Sequence, residues 1–442
     1  MMQTLDQLRA GELKGIRQLK LSCGLTQFPA EIFSLADTLE VLDLSGNQLS
    51  HLPDNFSKLA KLRILFCSEN LFDELPAVLG ACPELSMVGF KSNQISRVSA
   101  KALPINLRWL ILTNNQIESL PDEIGNCVQL QKLMLAGNRL QKLPVSLINC
   151  QRLELLRISA NQLNQFPQQL LTLPRLSWLA FSGNPFCTKA ETQVLEKLAI
   201  SQICWADLKL GQLLGEGASG QIYQANYSND QVKLDSVAVK LFKGLVTSDG
   251  LPGSEMLAAI AAGQHPNLIS IHGQLIDHPL AVDGLVMALI DTEFTNLAGP
   301  PSLDSCTRDI YPQDSCFDWP QVLAIAIGIA AAMRHLHAKG LLHGDLYAHN
   351  ILHCGKGRAL IGDFGAASFC PDDLAISNET LQRFEVRAFG CLLEELLERC
   401  VESETSLHLI QALHRLKAEC LSEDVLARPL FTEIAARLGQ LC

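Results

Sequence analysis

The sequence predicts a two-domain α+β protein, in which a solenoid of about eight short repeats precedes a two-lobed domain of sheet and helices. Three observations carry this prediction. An asparagine recurs every 22 or 23 residues from Asn47 to Asn184. The repeats stop near residue 188, and a glycine-rich segment between two strand patterns begins near residue 208. An apolar run at Val322–Met333 then indicates a buried core helix, because twelve residues are too few to span a bilayer.

The repeat follows the pattern LxxLxLxxNxLxxLPxxLxxL, and an earlier unit that begins at Ile16 lacks the asparagine. No single unit can bury its leucines alone, so stacked neighbours must share one core. We expect each unit to be a short strand, a turn and an irregular or 3₁₀ segment. The pattern resembles leucine-rich-repeat proteins over roughly residues 13–188. The asparagines are interpreted as a scaffold that bonds backbone groups of the neighbouring coil: Asn47, Asn70, Asn93, Asn115, Asn138, Asn161 and Asn184.

Side chains between the core leucines should face solvent on the concave side of the solenoid, where repeat proteins usually bind partners. Many of these side chains are aromatic or aliphatic, which predicts an apolar patch for a protein substrate or regulator. The alternative is that they only pack across neighbouring strands or against a terminal helix. The candidate partner-binding residues are Ile64, Phe66, Met87, Trp109, Ile111, Met134, Leu155 and Trp178.

Composition excludes several classes of protein. Hydrophobic residues make up 48% of the chain and charged residues 18%, which argues against general disorder. The net charge of −11 does not suit nucleic-acid binding. Fifteen cysteines lack zinc spacing and are expected to be buried free thiols in a reducing compartment. The N-terminal segment lacks the pattern of a secretory signal, so we expect a cytoplasmic protein without a membrane segment.

The second half opens with LGQLLGEGASGQIYQA, in which Gly215, Gly217 and Gly220 form GxGxxG. Alone this motif is weak, since it also begins dinucleotide-binding folds. Here a second strand pattern and then VAVK, ending at Lys240, follow instead of a helix. Glycines let the backbone approach phosphate oxygens closely, and Lys240 would hold the phosphates. Glu255, on the following helix, is the natural ion-pair partner of this lysine.

The strongest signal is HGDLYAHNIL at His343–Leu352, followed by DFG at Asp363–Gly365. Phosphoryl transfer needs one carboxylate to accept the hydroxyl proton, and a second carboxylate with an amide oxygen to hold Mg²⁺. Asp345, Asp363 and Asn350 have the residue types and spacing for these three roles. Together the ordered motifs resemble protein kinases over about residues 208–440.

The resemblance implies a bilobal kinase-like fold that binds ATP and Mg²⁺. Lys240, Glu255 and Asp345 are the implied catalytic residues, and Asn350 with Asp363 the implied metal ligands. The expected division is an N-terminal cap at 1–15, repeats at 16–188, a capping helix and linker at 189–207, and the kinase-like domain at 208–442. The implied nucleotide-binding residues, including the gatekeeper Met287, are Leu214, Gly215, Gly217, Ser219, Gly220, Ile222, Ala238, Lys240, Met287 and Leu289.

The sequence departs from the kinase pattern at four places. Gly344 replaces the arginine that normally receives a phosphorylated activation loop. Tyr347 replaces the lysine of serine/threonine kinases, and His349 stands where tyrosine kinases carry an arginine. The APE motif is missing, with Glu379 as a weak substitute. A long Gly/Pro/Ser-containing insertion runs from residue 291 to 318 and should rim the cleft.

These observations favour a soluble, Mg-ATP-dependent serine/threonine protein kinase whose repeats recruit a protein. One alternative is a pseudokinase or nucleotide-regulated scaffold, because the catalytic loop lacks a cation. Another is a small-molecule kinase of the choline or aminoglycoside type, in which the HGD pattern also occurs.

Overall fold

The computed structural model describes residues 3–217, 219–228, 233–244, 246–371, 378–401 and 407–441. It divides into two compact units, Met1–Leu176 and Ser177–Cys442. The second unit therefore begins inside the last sequence repeat, eleven residues before the predicted end of the repeats at 188. The contacts of that last repeat explain the difference, because Trp178 packs against Tyr347 of the second unit.

The first unit is a solenoid. Helix α1 (Leu5–Arg9) precedes seven three-residue strands that pair in parallel and in register, as the repeat spacing predicts. A 3₁₀ segment follows each strand, from Ala30–Leu35 after the first to Gln168–Thr172 after the last. The strands are β1 (Gln18–Lys20), β2 (Val41–Asp43), β3 (Ile64–Phe66), β4 (Met87–Gly89), β5 (Trp109–Ile111), β6 (Lys132–Met134) and β7 (Leu155–Arg157).

The recurring asparagines form the expected ladder. Asn138 is 6% exposed and accepts a hydrogen bond from the backbone N–H of Ile117 at 3.0 Å. Its amide nitrogen donates to the carbonyl oxygens of Leu112 and Leu135, each at 2.9 Å. Each such side chain satisfies buried backbone groups of the turns that cannot pair within a strand. This confirms the scaffold interpretation.

The strand face is less exposed than predicted. Ile64, Met87, Leu155 and Trp178 are at most 5% exposed, so the prediction that they present an open apolar patch is wrong. Strands lie about 4.8 Å apart, and neighbouring side chains cover one another. A Cβ on Gly89, for example, would stand 2.6 Å from the Phe66 ring. The half-buried members of the predicted set are Phe66, Trp109, Ile111 and Met134.

The second unit begins with strand β8 (Trp178–Ala180) and helix α2 (Thr188–Lys197). The helix lies in the segment where a capping helix and linker were expected. A six-stranded sheet follows in the order β10-β11-β12-β14-β13-β9, with β9 parallel to β13 and the other pairs antiparallel. Tyr227, Val239 and Val286 belong to its apolar core. The elements are β9 (Gln202–Cys204), β10 (Leu208–Glu216), β11 (Gly220–Ser228), β12 (Lys233–Phe242), α3 (Pro252–Ala262), β13 (Ile271–Ile276) and β14 (Gly284–Ala288).

The rest of the unit is mainly helical, with two small antiparallel sheets, β15-β17-β18 and β16-β19. These short strands carry the loops of the candidate site. The elements are β15 (Thr295–Asn296), α4 (Trp319–Ala338), β16 (Leu341–Leu342), β17 (Ile351–His353), β18 (Ala359–Ile361), β19 (Ser368–Phe369), α5 (Asn378–Leu397), α6 (Leu407–Cys420) and α7 (Phe431–Gly439).

Helix α4 extends the predicted apolar run to twenty residues and begins with a capping box between Asp318 and Gln321. Within the described part of the chain it is the one helix whose length and composition would allow it to cross a membrane. Most of the apolar part of this helix is buried inside the structure. Its inward residues, such as Ile325, Ile329 and Met333, are fully buried, which is the arrangement of a core helix and agrees with the prediction.

Candidate active site

The glycine-rich segment is the hairpin between β10 and β11. Gly215 lies opposite Ile222, and the N–H of Gly217 donates to the carbonyl oxygen of Gly220 at 2.9 Å. The carbonyl oxygen of Ser219 accepts from the N–H of Lys243 at 3.0 Å. A Cβ at position 220 would stand 2.4 Å from the carbonyl oxygen of Leu241, so only glycine fits there. The hairpin tip is therefore held against β12 through its backbone.

Lys240 and Glu255 form a buried ion pair. Lys240 lies on β12 and Glu255 on the first turn of α3, and the two side chains are 10% and 3% exposed. The lysine Nζ bonds to Glu255 Oε1 and lies 4.0 Å from Oδ1 of Asp363. The structure thus brings together three predicted site residues from three different elements.

Burial and the charge of the partner shift the pKa of each member of this pair in opposite directions. Burial acts to lower the pKa of Lys240, but Asp363 and Glu255 outweigh it and the pKa is raised, so the lysine stays charged. Burial raises the pKa of Glu255 to about 7, although Lys240 acts in the other direction. The carboxylate form that pairs with the lysine is therefore lost on acidification through neutral pH.

A cavity lies beside this ion pair. Of the ten predicted nucleotide-binding residues, Ile222, Lys240 and Met287 line it. The other seven lie outside the lining: Ala238 is paired with Met287 across the sheet, Leu289 follows β14, and five belong to the hairpin. The lining also includes Phe364 of the DFG motif and residues that the sequence motifs did not single out, namely Ala259, Ile269, Ile271, Leu285 and Gly362.

The catalytic loop joins β16 to β17. Asn350 donates from its amide nitrogen to Asp345, at 2.7 Å to Oδ2 and 3.0 Å to the carbonyl oxygen. His343 is fully buried, with Nε2 2.9 Å from the carbonyl oxygen of Gly362 and Nδ1 3.3 Å from the N–H of Asp345. The N–H of Gly344 donates to Glu385 on α5 at 2.6 Å. The loop is thus fixed to both the DFG segment and α5.

The predicted metal ligands have suitable chemistry for Mg²⁺, which prefers oxygen donors. Asn350 uses its amide nitrogen on Asp345, which leaves the amide oxygen as its remaining ligand atom. Asp363 is 51% exposed at its side chain, and its Oδ1 accepts from the N–H of Gly365 at 3.2 Å. A half-exposed carboxylate and an oriented amide therefore fit the role of metal ligands.

The unusual residues of the catalytic loop have partners that the sequence did not reveal. Tyr347 stacks on Trp178 with ring centroids 4.1 Å apart and an angle of 9°. Trp178 was predicted to bind a partner on the concave face, and this assignment is wrong because the catalytic loop covers its ring. The departures from the kinase pattern at 344 and 347, three residues apart, were the one sequence signal that an unusual segment contacts this loop.

His349 is held by Asp309 of the insertion. The carboxylate accepts from the His349 backbone N–H at 2.9 Å and contacts its Nδ1 at 2.7 Å. Burial acts to lower the pKa of His349, but Asp309, Asp345 and Asp363 outweigh it, so the pKa is raised. The side chain of Asp309 is fully buried. Sequence reasoning missed this residue because it lies in a segment without motif.

The insertion is also anchored to α5. Arg308 bonds Glu394 at 2.9 Å and Glu395 at 2.8 Å, and the Tyr311 hydroxyl donates to Glu395 at 3.3 Å. The insertion is therefore packed firmly against the rest of the domain.

Glu379, the suggested substitute for the missing APE glutamate, lies 3.9 Å from Arg383 and is 59% exposed. Residues 372–377, between the DFG segment and α5, lie outside the described residues.

Comparison with known families agrees with this geometry. The family model described as protein tyrosine and serine/threonine kinase matches residues 208–391. Leucine-rich-repeat models match residues 38–59, 105–163 and 128–186.

Individual relatives match part of the chain at low identity. An activated Cdc42 kinase-like protein of Drosophila melanogaster is 30% identical over 53% of this chain and 20% of its own length. Fibroblast growth factor receptor 1 of Pleurodeles waltl is 28% identical over 36% of this chain and 21% of its own. A nodulation receptor kinase of Pisum sativum is 27% identical over 37% and 17%. The chain thus spans about a fifth of the length of these relatives. The motifs, their geometry and these matches together show a chain in which leucine-rich repeats precede a protein kinase domain.

Proposed function

We propose that this kinase domain uses Mg-ATP to phosphorylate serine or threonine hydroxyls of proteins, and that the repeats recruit a protein substrate or regulator. The observation that carries the proposal is the Lys240–Glu255 ion pair with Asp363 4.0 Å from the lysine. Strand β12, helix α3 and the DFG segment together supply the charges that a triphosphate and its metal require. Asp345 and Asn350, hydrogen-bonded to each other, supply the remaining groups.

Each residue has one task in the proposed transfer. Lys240, oriented by Glu255, neutralises phosphate oxygens, and the backbone N–H groups of the hairpin around Ser219 contact them. Asp345 accepts the proton of the attacking hydroxyl. Asn350 and Asp363 would hold Mg²⁺, which would supply positive charge against the phosphoryl group. Catalysis here consists mainly of positioning and electrostatic stabilisation.

Serine or threonine is favoured over tyrosine because the arginine typical of tyrosine kinases is replaced by His349. Acid hydrolysis of an acceptor protein labelled from radioactive ATP, followed by separation of the phosphoamino acids, tests this point. Phosphoserine or phosphothreonine is expected. Phosphotyrosine alone would overturn the acceptor class but leave the kinase assignment in place.

Recruitment by the repeats rests on their half-buried apolar residues. Trp109 has the Lys132 ammonium 4.4 Å from its ring centroid and remains partly accessible, as do Phe66 and Met134. Trp109→Ala should weaken capture of a protein partner while the affinity for ATP stays unchanged. Loss of ATP affinity in this variant would instead indicate a structural role. No disulfide joins any of the fourteen described cysteines, which supports a reducing, cytoplasmic setting.

A second candidate function is a nucleotide-regulated scaffold without transfer. The observation that favours it is Tyr347, which provides an aromatic ring where serine/threonine kinases carry a cation. Retained ATP binding without transfer to protein or small-molecule acceptors would support this candidate.

A further inference from the structure

The last repeat strand lies directly against the catalytic loop. Besides the ring stack with Tyr347, the indole Nε1–H of Trp178 donates to the carbonyl oxygen of Leu346 at 2.9 Å. Trp178 is 1% exposed, so both contacts are shielded from water. Leu346 and Tyr347 directly follow Asp345, the proposed base. One side chain therefore fixes the backbone and the ring of the two residues next to the reacting carboxylate.

The same strand is joined to the segment after DFG. The backbone N–H groups of Phe181 and Ser182 donate to the Ser368 hydroxyl at 3.0 and 3.1 Å. Ser368 lies on β19, which pairs with β16 immediately before the catalytic loop. The repeat segment thus contacts β19 as well as the catalytic loop that follows β16.

The backbone around position 344 leaves no room for a side chain. Gly344 has φ +74°, and a Cβ there would lie 2.3 Å from the carbonyl oxygen of Ala366 and 2.9 Å from that of Leu179. An arginine, the usual residue at this position in kinases, would collide with both. Both departures therefore lie against the repeat strand: Tyr347 stacks on Trp178, and Gly344 leaves room for the carbonyl oxygen of Leu179 as well as for that of Ala366.

We infer that the segment Ser177–Ser182 positions the catalytic loop for phosphoryl transfer, with Trp178 as its principal positioning residue. The inference rests on the proposed kinase activity. The repeat strand here does by permanent packing what a phosphorylated activation loop does through an arginine in other kinases. A loop held in place from both the α5 side, by Glu385, and the repeat side keeps Asp345 oriented before substrate binds.

The test compares three variants of the full chain. Trp178→Leu removes the stack and the hydrogen bond, whereas Trp178→Phe keeps an aromatic ring. Leu413 is fully buried on α6, away from the loop. Leu413→Ala therefore shows what a loss of stability alone does to kcat. Trp178→Leu should lower kcat by roughly 10- to 100-fold with the dissociation constant for ATP unchanged, since small misplacements of reacting groups cost this much.

Trp178→Phe should recover part of the lost kcat, and Leu413→Ala should keep the wild-type kcat below its melting temperature. An unchanged kcat in Trp178→Leu would overturn the inference, as would an equal loss in Leu413→Ala at the same melting temperature.

A hydrogen-exchange measurement separates this inference from the proposed function. If the wild-type chain transfers no phosphate, the kinase proposal fails. The positioning of the catalytic loop by Trp178 can then still be tested by the hydrogen-exchange rates of the backbone amides of residues 343–352. Faster exchange there in Trp178→Leu, but not in Leu413→Ala, would support the positioning role. Unchanged exchange in this segment would contradict it whether or not the protein is active.

Discussion

The carbonyl oxygen of Leu179 lies 2.9 Å from the place where a Cβ at Gly344 would stand. This relationship joins the last repeat to the catalytic loop at the position where kinases usually carry an arginine. The glycine is required by its left-handed φ and by the two carbonyl oxygens around it. We expect the proposed activity not to require activation-loop phosphorylation, because no arginine is present at 344 to receive the phosphate.

Substitution of Gly344 should be costly. Gly344→Ala combines a left-handed backbone penalty of about 1–2 kcal/mol with steric overlap worth about 1–3 kcal/mol. Gly340→Ala is a matched control, because Gly340 has φ +69° and open space around its Cβ. Calorimetry of the full chain should show a clearly larger drop in melting temperature for Gly344→Ala. Equal drops would mean that the carbonyl oxygens of Ala366 and Leu179 leave room for a side chain.

The acid limb of activity should reflect Glu255. Its pKa is raised to about 7, mainly by burial, and only the carboxylate can pair with Lys240. We expect kcat/KM to fall as the pH decreases through about 7. Glu255→Gln should lower kcat/KM and flatten this limb, because the neutral amide does not titrate. A limb of the same position and size in the variant would assign it to another group.

Each asparagine of the ladder should contribute to the stability of the repeats around it. Asn138→Ala removes three buried hydrogen bonds and leaves backbone groups unsatisfied, at a cost of about 1–3 kcal/mol. Hydrogen exchange of residues 105–150 should become faster, whereas Gln162→Ala, at an exposed neighbouring position, should have no effect. Equal protection in both variants would contradict the scaffold role.

Asp309 should matter for catalysis although it lies outside every motif. Asp309→Ala removes the acceptor for the backbone N–H of His349, one residue before Asn350. We expect a loss of kcat of roughly ten-fold, in the range that loosened positioning produces. Asp314→Ala changes an exposed acid of the same insertion and should be neutral. If both variants keep wild-type kcat, the insertion has no role in positioning the loop.

Local regularity explains what could be predicted. The spacing of Asn47 to Asn184 fixed the register of the solenoid, and the order of Lys240, Asp345 and Asp363 predicted the site, because both signals lie in short patterns. The stack of Trp178 on Tyr347 joins residues 169 positions apart, and no pattern in one sequence encodes such a contact. Trp178 occupies a normal repeat position, so its sequence context pointed to the concave face.

The most direct test of the account is transfer of labelled γ-phosphate from Mg-ATP to a basic acceptor protein, measured for the wild-type chain and for Asp345→Asn with ATP binding recorded for both. The account predicts transfer by the wild type, and a rate at least about 100-fold lower in the variant with ATP binding retained. Equal rates in the two proteins, or a wild type that binds ATP and transfers nothing, would contradict it.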